Sequence, residues 1–200
     1  MRNVFFVVTM VLSLAFYGCA ATKVERIKSE ETVDLSGGWN DSDSRMVADK
    51  MIGQSLGEPW LKKFKSEHRG KAPVVIVGAI ANLSHEHISV GTFVKNMERA
   101  LINSGEVEFV ASSSERGEVR EERKDQATHS SEETAKGEGE ETGADFMMKG
   151  SINSILDKLE GKSVVYYQVN LELIDIRTHK KVWIGEEKIK KFVTRSRFGL

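Results

Sequence analysis

The stretch VVYYQVNLELIDIRTHKKVWIGEEKIKK, residues 164–191, decides the fold. Val165, Tyr167, Val169, Leu171 and Leu173 alternate with polar or amphipathic neighbours. A period of two sets the apolar residues on one face of a strand. Arg177–Lys181 interrupts the pattern with turn chemistry. Val182-Trp183-Ile184-Gly185 then opens a return strand that continues through Ile189 to Val193. This is a long antiparallel hairpin. Lys188 and Lys190 fall on its solvent side and Ile189 on its inner side, while the pattern around Trp183 makes that residue a core packer.

Working outward from the hairpin, Gly143-Ala-Asp-Phe-Met-Met-Lys-Gly-Ser-Ile152 reads as the strand before it, entered through a glycine. Pro73-Val-Val-Ile-Val-Gly-Ala-Ile80 is a continuous β-branched run, as expected of a strand buried on both faces. Ser89 is placed to cap a helix whose face is Val90, Phe93, Val94, Met97 and Leu101, and Gly105 ends it. Val107, Phe109 and Ala111 alternate as a further strand. The order β-α-β implies a right-handed crossover and parallel pairing. The expected fold class is α/β, a mixed sheet with a β-α-β start and a C-terminal antiparallel hairpin.

Before this core, Asp41 or Ser42 is expected to cap a helix with Met46, Val47, Met51, Ile52 and Leu56 on its apolar face. Gly57 and Pro59 end it, and Trp60, Leu61 and Phe64 form a further turn. Residues 115–125 are almost all charged, which predicts a solvated helix carrying opposite charges three or four apart. Residues 128–142, rich in Ser, Thr, Gly and Glu, read as either another helix or a loop.

The N-terminus has a different character. Arg2 is followed by an uncharged run, Val4–Tyr17, too short to cross a bilayer, which takes ~20 residues. A basic start with a short apolar run reads as a secretory signal. Gly18-Cys19 then resembles the bacterial lipobox, and Cys19 is the only cysteine in the chain. The expected organisation is a lipoprotein signal peptide at 1–18, a lipid-anchored tether at 19–34 and an α/β domain at 35–200. Ala20 after the cysteine favours the outer membrane by the sorting rule of Gram-negative lipoproteins, with acylated Cys19 holding the lipid.

Removing the signal takes away Arg2 and leaves 28 basic residues against 30 acidic ones. That balance argues against nonspecific nucleic-acid binding, which needs a positive surface to displace counterions. The sequence offers no nucleophile elbow, phosphate loop or CxxC pair, so no catalytic residue and no cofactor are assigned. His85-Glu86-His87 is the best metal candidate, but a third ligand is missing, and a pair of solvated loop histidines is the weightier reading. Asp145 follows a glycine at a strand start, where a carboxylate pairs with backbone amides more often than it catalyses. The charged run at 115–125 could be a partner-binding face, with Arg116, Arg120 and Arg123 as its cations. Trp39 would be an interface anchor if exposed. The basic end formed by Lys188, Lys190, Lys191, Arg195 and Arg197 suits anionic lipid or an acidic partner.

Five segments in order carry a family resemblance: LSGGWNDSDSRMVADKMI at 35–52, VVIVGAIANLSHEHI at 74–88, ERGEVREERKDQ at 115–126, GADFMMKGSI at 143–152, and the hairpin at 164–191. Together they resemble the penicillin-binding-protein activator lipoproteins of the LpoB type. The GADF-MMKG segment also resembles the curli-secretion CsgG family and the TolB N-terminal domain. The resemblance implies a three-layer α/β fold and a non-catalytic outer-membrane regulator. Its partner would be a bifunctional peptidoglycan synthase, a penicillin-binding protein. A CsgG-like assembly or secretion lipoprotein is the alternative it leaves.

Overall fold

The structure, a computed structural model, describes residues 22–131, 133–136, 139 and 141–194. The expected signal peptide and Cys19 therefore lie outside the described residues, as do Arg195 and Arg197. The chain divides into two units, 1–31 and Thr32–Leu200. Residues 22–31 of the first are exposed and carry no helix or strand.

The second unit opens with α1 (Asp41–Gly57) and α2 (Pro59–Glu67). The cap of α1 is Asn40 rather than Asp41 or Ser42. The Asn40 side chain accepts from the Asp43 amide at 2.9 Å, and the Asp43 carboxylate accepts from the Asn40 amide at 3.0 Å. This reciprocal box satisfies two donors that a helix start leaves unpaired. Val47, Ala48, Met51 and Ile52 are buried, but Met46 is exposed. The packed stripe is rotated toward Ser44, which is enclosed and receives a hydrogen bond from Asn96. Pro59 begins α2, where its missing amide hydrogen costs nothing. The Trp60 indole donates to Ser55 O at 2.7 Å and so ties the two helices together.

Next come β1 (Val74–Leu83), α3 (Val90–Ser104) and β2 (Glu108–Phe109). Gly105 ends α3 at φ 65°, the left-handed conformation expected there. The β1–β2 pair is parallel, as the β-α-β order requires. Ladder pairing in β2 covers only two of the five residues expected as strand. Val107 is nonetheless buried, and the Val110 amide reaches Val75 O.

After α4 (Ser113–His129) the chain makes no further helix among the described residues before Ala144. It then forms β3 (Phe146–Leu159), β4 (Lys162–Asp175) and β5 (Lys181–Thr194). The sheet order is β2-β1-β3-β4-β5, parallel on the first two pairings and antiparallel on the last two. β3 runs seven residues beyond the expected end at Ile152. It turns into β4 through Glu160-Gly161 alone, both at positive φ, which makes a tight two-residue hairpin.

One face of this sheet forms the core. Val165, Tyr167, Val169, Leu171 and Leu173 of β4 all point into it, meeting Met148 and Ile152 of β3, Met51 and Ile52 of α1, and Phe93, Met97 and Leu101 of α3. Trp183 is buried there as expected. Each fully enclosed aliphatic side chain contributes about 1.5–3 kcal/mol.

Candidate partner-binding surfaces

The segment that leads into α1 is clamped from two sides. Glu86, in the loop after β1, accepts from the Trp39 amide at 3.0 Å and from the Tyr167 hydroxyl at 2.5 Å. Tyr167 is fully enclosed, and burial together with the Glu86 carboxylate pushes its pKa up, so the phenol stays protonated. On the other side Lys191 bonds Asp34, Asp43 and Gly38 O. Burial opposes the Lys191 charge, but the hydrogen bonds to Asp34 and Asp43 outweigh it and its pKa is raised.

Trp39 therefore serves the domain's own packing. Its ring stands edge-on to Phe93 at 6.2 Å and to Tyr167 at 5.5 Å, and the residue is half-buried. Only part of the indole remains for a partner.

The His85-Glu86-His87 candidate resolves in the same way. Glu86 is committed to Trp39 and Tyr167, and His85 pairs through Nδ1 with Ser154 Oγ at 2.6 Å. Among the described residues no group of three ligating side chains could hold a metal ion. Asp145 accepts from the Val74 amide at 2.8 Å and thereby joins β1 to the start of β3. It caps the backbone, as its position after a glycine suggested.

Helix α4 is the helix that contributes no residue to the core. It buries no residue. Its start is fixed by a box in which Ser112 and Glu115 cap each other's amides, and Glu115 also reaches Lys95 of α3 at 2.7 Å. The Lys95 ammonium and the Ser112 amide hold the Glu115 pKa down at about 2. At 100° per residue, Arg116, Arg120, Arg123 and Lys124 occupy a sector of about 100°, and Glu118, Glu121, Glu122 and Asp125 occupy the opposite side. The charges are segregated.

Glu141 comes up against the basic side. Arg120 donates to it in a two-pronged pair at 2.8 Å on each prong, and Arg123 lies 3.9 Å away. The Arg120 guanidinium holds the Glu141 carboxyl below the usual range. Arg116 Nε is buried and has no hydrogen-bond partner among the described residues. Arg120 and Arg123 thus share one carboxylate beside a concavity of about 280 Å³, and the Arg116 charge acts on it from farther off. The structure joins Arg120 and Arg123 through Glu141, keeps Arg116 on the same side of α4 without a contact to that carboxylate, and leaves Trp39 against Phe93 and Tyr167.

A second concavity, of about 660 Å³, was not foreseen. It lies between α2 and the β4–β5 turn, with Trp60, Phe64 and Phe146 as its aromatic wall and Lys63 and Arg177 at the rim. Its walls come from segments far apart in sequence, so only the sheet order reveals it. Glu86 and Lys191 were also missed as clamps. Lys191 shares the inward register of Trp183 and Ile189, and the same alternation would have found it. Among the described residues no helix is long and apolar enough to cross a membrane.

Comparison with known proteins bears on most of the folded unit. No curated protein matches the chain. Among solved structures, it is similar to the LpoB C-terminal domain from Escherichia coli at 15% identity, covering 74% of this chain and 99% of that one, with a TM-score of 0.46. The LpoB C-terminal domain from Salmonella enterica gives 13%, 74%, 99% and 0.44. Lipoprotein GNA1162 from Neisseria meningitidis gives 16%, 62%, 87% and 0.38. The model of the family described as peptidoglycan-synthase activator LpoB matches residues 43–189, from the capping aspartate of α1 to the inward isoleucine of β5. With nearly three quarters of its length matched, the chain belongs to the LpoB family.

Proposed function

We propose that this protein is a non-catalytic regulator that binds a bifunctional peptidoglycan synthase and raises its activity, held at the outer membrane by an acylated Cys19 with its folded unit in the periplasm. The observation that carries the reading is the family match, which spans α1 to β5 rather than one motif. The regulator works by population shift: it binds the active conformation of the synthase more tightly than the resting one. A differential affinity of about 3 kcal/mol changes the ratio of the two states more than a hundredfold.

The arginine side of α4 is the docking face in this reading. Its cations are arranged for bidentate carboxylate recognition, and Glu141 already occupies one such fork. An acidic patch on the synthase takes the place of Glu141.

The test is reconstitution. Residues 32–200 added to the cognate synthase raise glycan polymerisation at saturating concentration, and no change in rate refutes the activator role. Crosslinking in cells separates the alternative: recovery of a synthase supports the regulator, whereas a self-associated ring supports a CsgG-like secretion subunit. Localisation is checked separately. Cys19→Ser releases the protein from the membrane fraction, and unchanged fractionation removes the anchor.

A further inference from the structure

The sheet face opposite the core changes character along its length. Near the β3–β4 turn, cross-strand rows on this outer face run Ile155–Tyr166–Lys190, Asp157–Val164–Phe192 and Leu159–Lys162–Thr194. Ile155, Leu159 and Phe192 are 66%, 75% and 67% exposed. Large apolar side chains left this open at one end of one face form a contiguous patch rather than scattered exceptions. Tyr166 and Val164, half-buried, fill its middle.

Lysines rim the patch. Lys162 and Lys190 have no ion-pair partner among the described residues, and Lys188 is paired with Glu186. Asp157 and Glu160 are the acidic residues nearest them in the ladder and turn. Beyond Thr194 the sequence continues with Arg195, Arg197 and Phe198, the same mixture of cation and apolar group. Apolar side chains ringed by long cationic ones suit the boundary between lipid headgroups and acyl chains, where lysine stems lie along apolar surface and their ammonium groups meet phosphate.

The path of the chain selects the same end of the sheet. Asp34 pairs with Lys191, and a Cβ on Gly37 would lie 2.1 Å from Val193 Cγ2. The first residues of the folded unit therefore join β5 at this same end of the sheet, on the face opposite Phe192. If Cys19 carries lipid, only twelve residues separate that attachment from Thr32, at most ~45 Å of chain. So short a link gives the patch a millimolar effective concentration of bilayer, at which a weak intrinsic affinity is enough.

We propose that the outer face at the β3–β4 turn rests on an anionic phospholipid surface, with Ile155, Leu159 and Phe192 among the headgroups and Lys162 and Lys190 on the phosphates. The argument from chain path rests on the acyl-anchor reading above. The argument from the patch does not.

The test removes the anchor. The chain of residues 19–200 carrying Cys19→Ser is sedimented with vesicles of phosphatidylglycerol and phosphatidylethanolamine, and with phosphatidylcholine vesicles. Binding to the anionic vesicles is expected to fall about fivefold or more in a Leu159→Ser/Phe192→Ser variant, in Lys190→Glu and at high salt. Lys62→Ala, on α2, leaves it unchanged. The substituted side chains are exposed, and an unchanged thermal transition confirms that the variants fold. As a second readout, an environment-sensitive dye on Leu159→Cys blue-shifts with anionic vesicles, whereas one on Glu122→Cys does not. Equal binding to both vesicle types, variants that bind as the parent does, or capture of a polyglutamate peptide without vesicle binding would each overturn the proposal. Mass spectrometry of Cys19 from native membranes tests the anchor independently.

Discussion

Lys191 Nζ lies 2.6 Å from Asp43 Oδ2, although one residue belongs to the last strand and the other to the first turn of the first helix. Both side chains are nearly enclosed, at 11% and 6% exposure. Asp43 therefore has two tasks: it caps Asn40 and it neutralises an ammonium on the inner face of the sheet.

Lys191→Met should destabilise the folded unit by about 2–3 kcal/mol, because it leaves the buried Asp43 carboxylate without its cation. The raised pKa of Lys191 gives the pH dependence its sign. The contribution is fully present below the ordinary lysine value and is lost as pH rises through the folded value. Urea melts of parent and variant should differ most near neutrality and converge in alkali. A constant gap would place the effect in packing instead.

Removal of the Tyr167 hydroxyl isolates the other clamp. Tyr167→Phe keeps the ring that stands against Trp39 but deprives Glu86 of its shortest hydrogen bond. A loss of about 1.5–3 kcal/mol is expected, as for bonds to charged groups. Glu86→Gln should cost less, since its amide oxygen can still accept from the Trp39 amide.

Glycine substitutions should change sign with location. At Gly150 a Cβ would lie 2.2 Å from the Asn170 carbonyl oxygen, and at Gly185 it would lie 2.2 Å from the Trp183 ring. Gly150→Ala is expected to cost more, about 3 kcal/mol, because a ladder carbonyl yields less readily than an indole. Gly53, inside α1 with open space around it, is the counter-case. Gly53→Ala should stabilise by about 0.5–1 kcal/mol. Thermal denaturation of the three variants gives the order.

Glu115 should titrate near 2 in a pH series monitored by NMR of its carboxyl carbon. Lys95→Met should return it toward the ordinary glutamate range, because the Lys95 hydrogen bond is the largest cause of the shift. A depressed carboxyl pKa stabilises above its unfolded value and loses that contribution as pH falls through the folded one. Glu115 is largely open to solvent, so the fraying of α4 in acid should be local and leave the sheet intact.

Arg120→Ala combined with Arg123→Ala should leave the melting temperature within about 1 °C of the parent, since no residue of α4 is buried as a whole and Arg120 is largely open to solvent. The same pair should reduce stimulation of the synthase severalfold. Full stimulation by the double variant would move the docking face off α4.

The sheet was legible where one face is buried and the other is wet. Val165 to Leu173 alternate because one side meets α1 and α3 and the other meets water. β3 beyond Ile152 was not legible, because the adjacent apolar pair Ile155-Leu156 breaks the alternation, with Ile155 exposed and Leu156 only partly packed on the core, and the rest of 153–158 is polar. The start of α1 was misplaced by one or two residues, since Asn40, Asp41 and Ser42 are all good caps and only the Asp43 partner singles out Asn40. For the candidate surface, charge density alone pointed to α4. The company that Trp39 keeps with Phe93 and Tyr167 depends on residues 54 and 128 positions away, which no local pattern encodes.

The clasp of Asp34 and Gly37 against Lys191 and Val193 also determines how the molecule bears a load. Tension arriving along the chain from residue 31 meets β5 before it reaches α1. The ion pairs at Lys191 and the contact between Gly37 and Val193 must give way first, and the long β3–β4 ladder behind them is spared. A pull on this end would therefore peel off a latch while leaving the body folded, so the protein can be tugged without being unravelled.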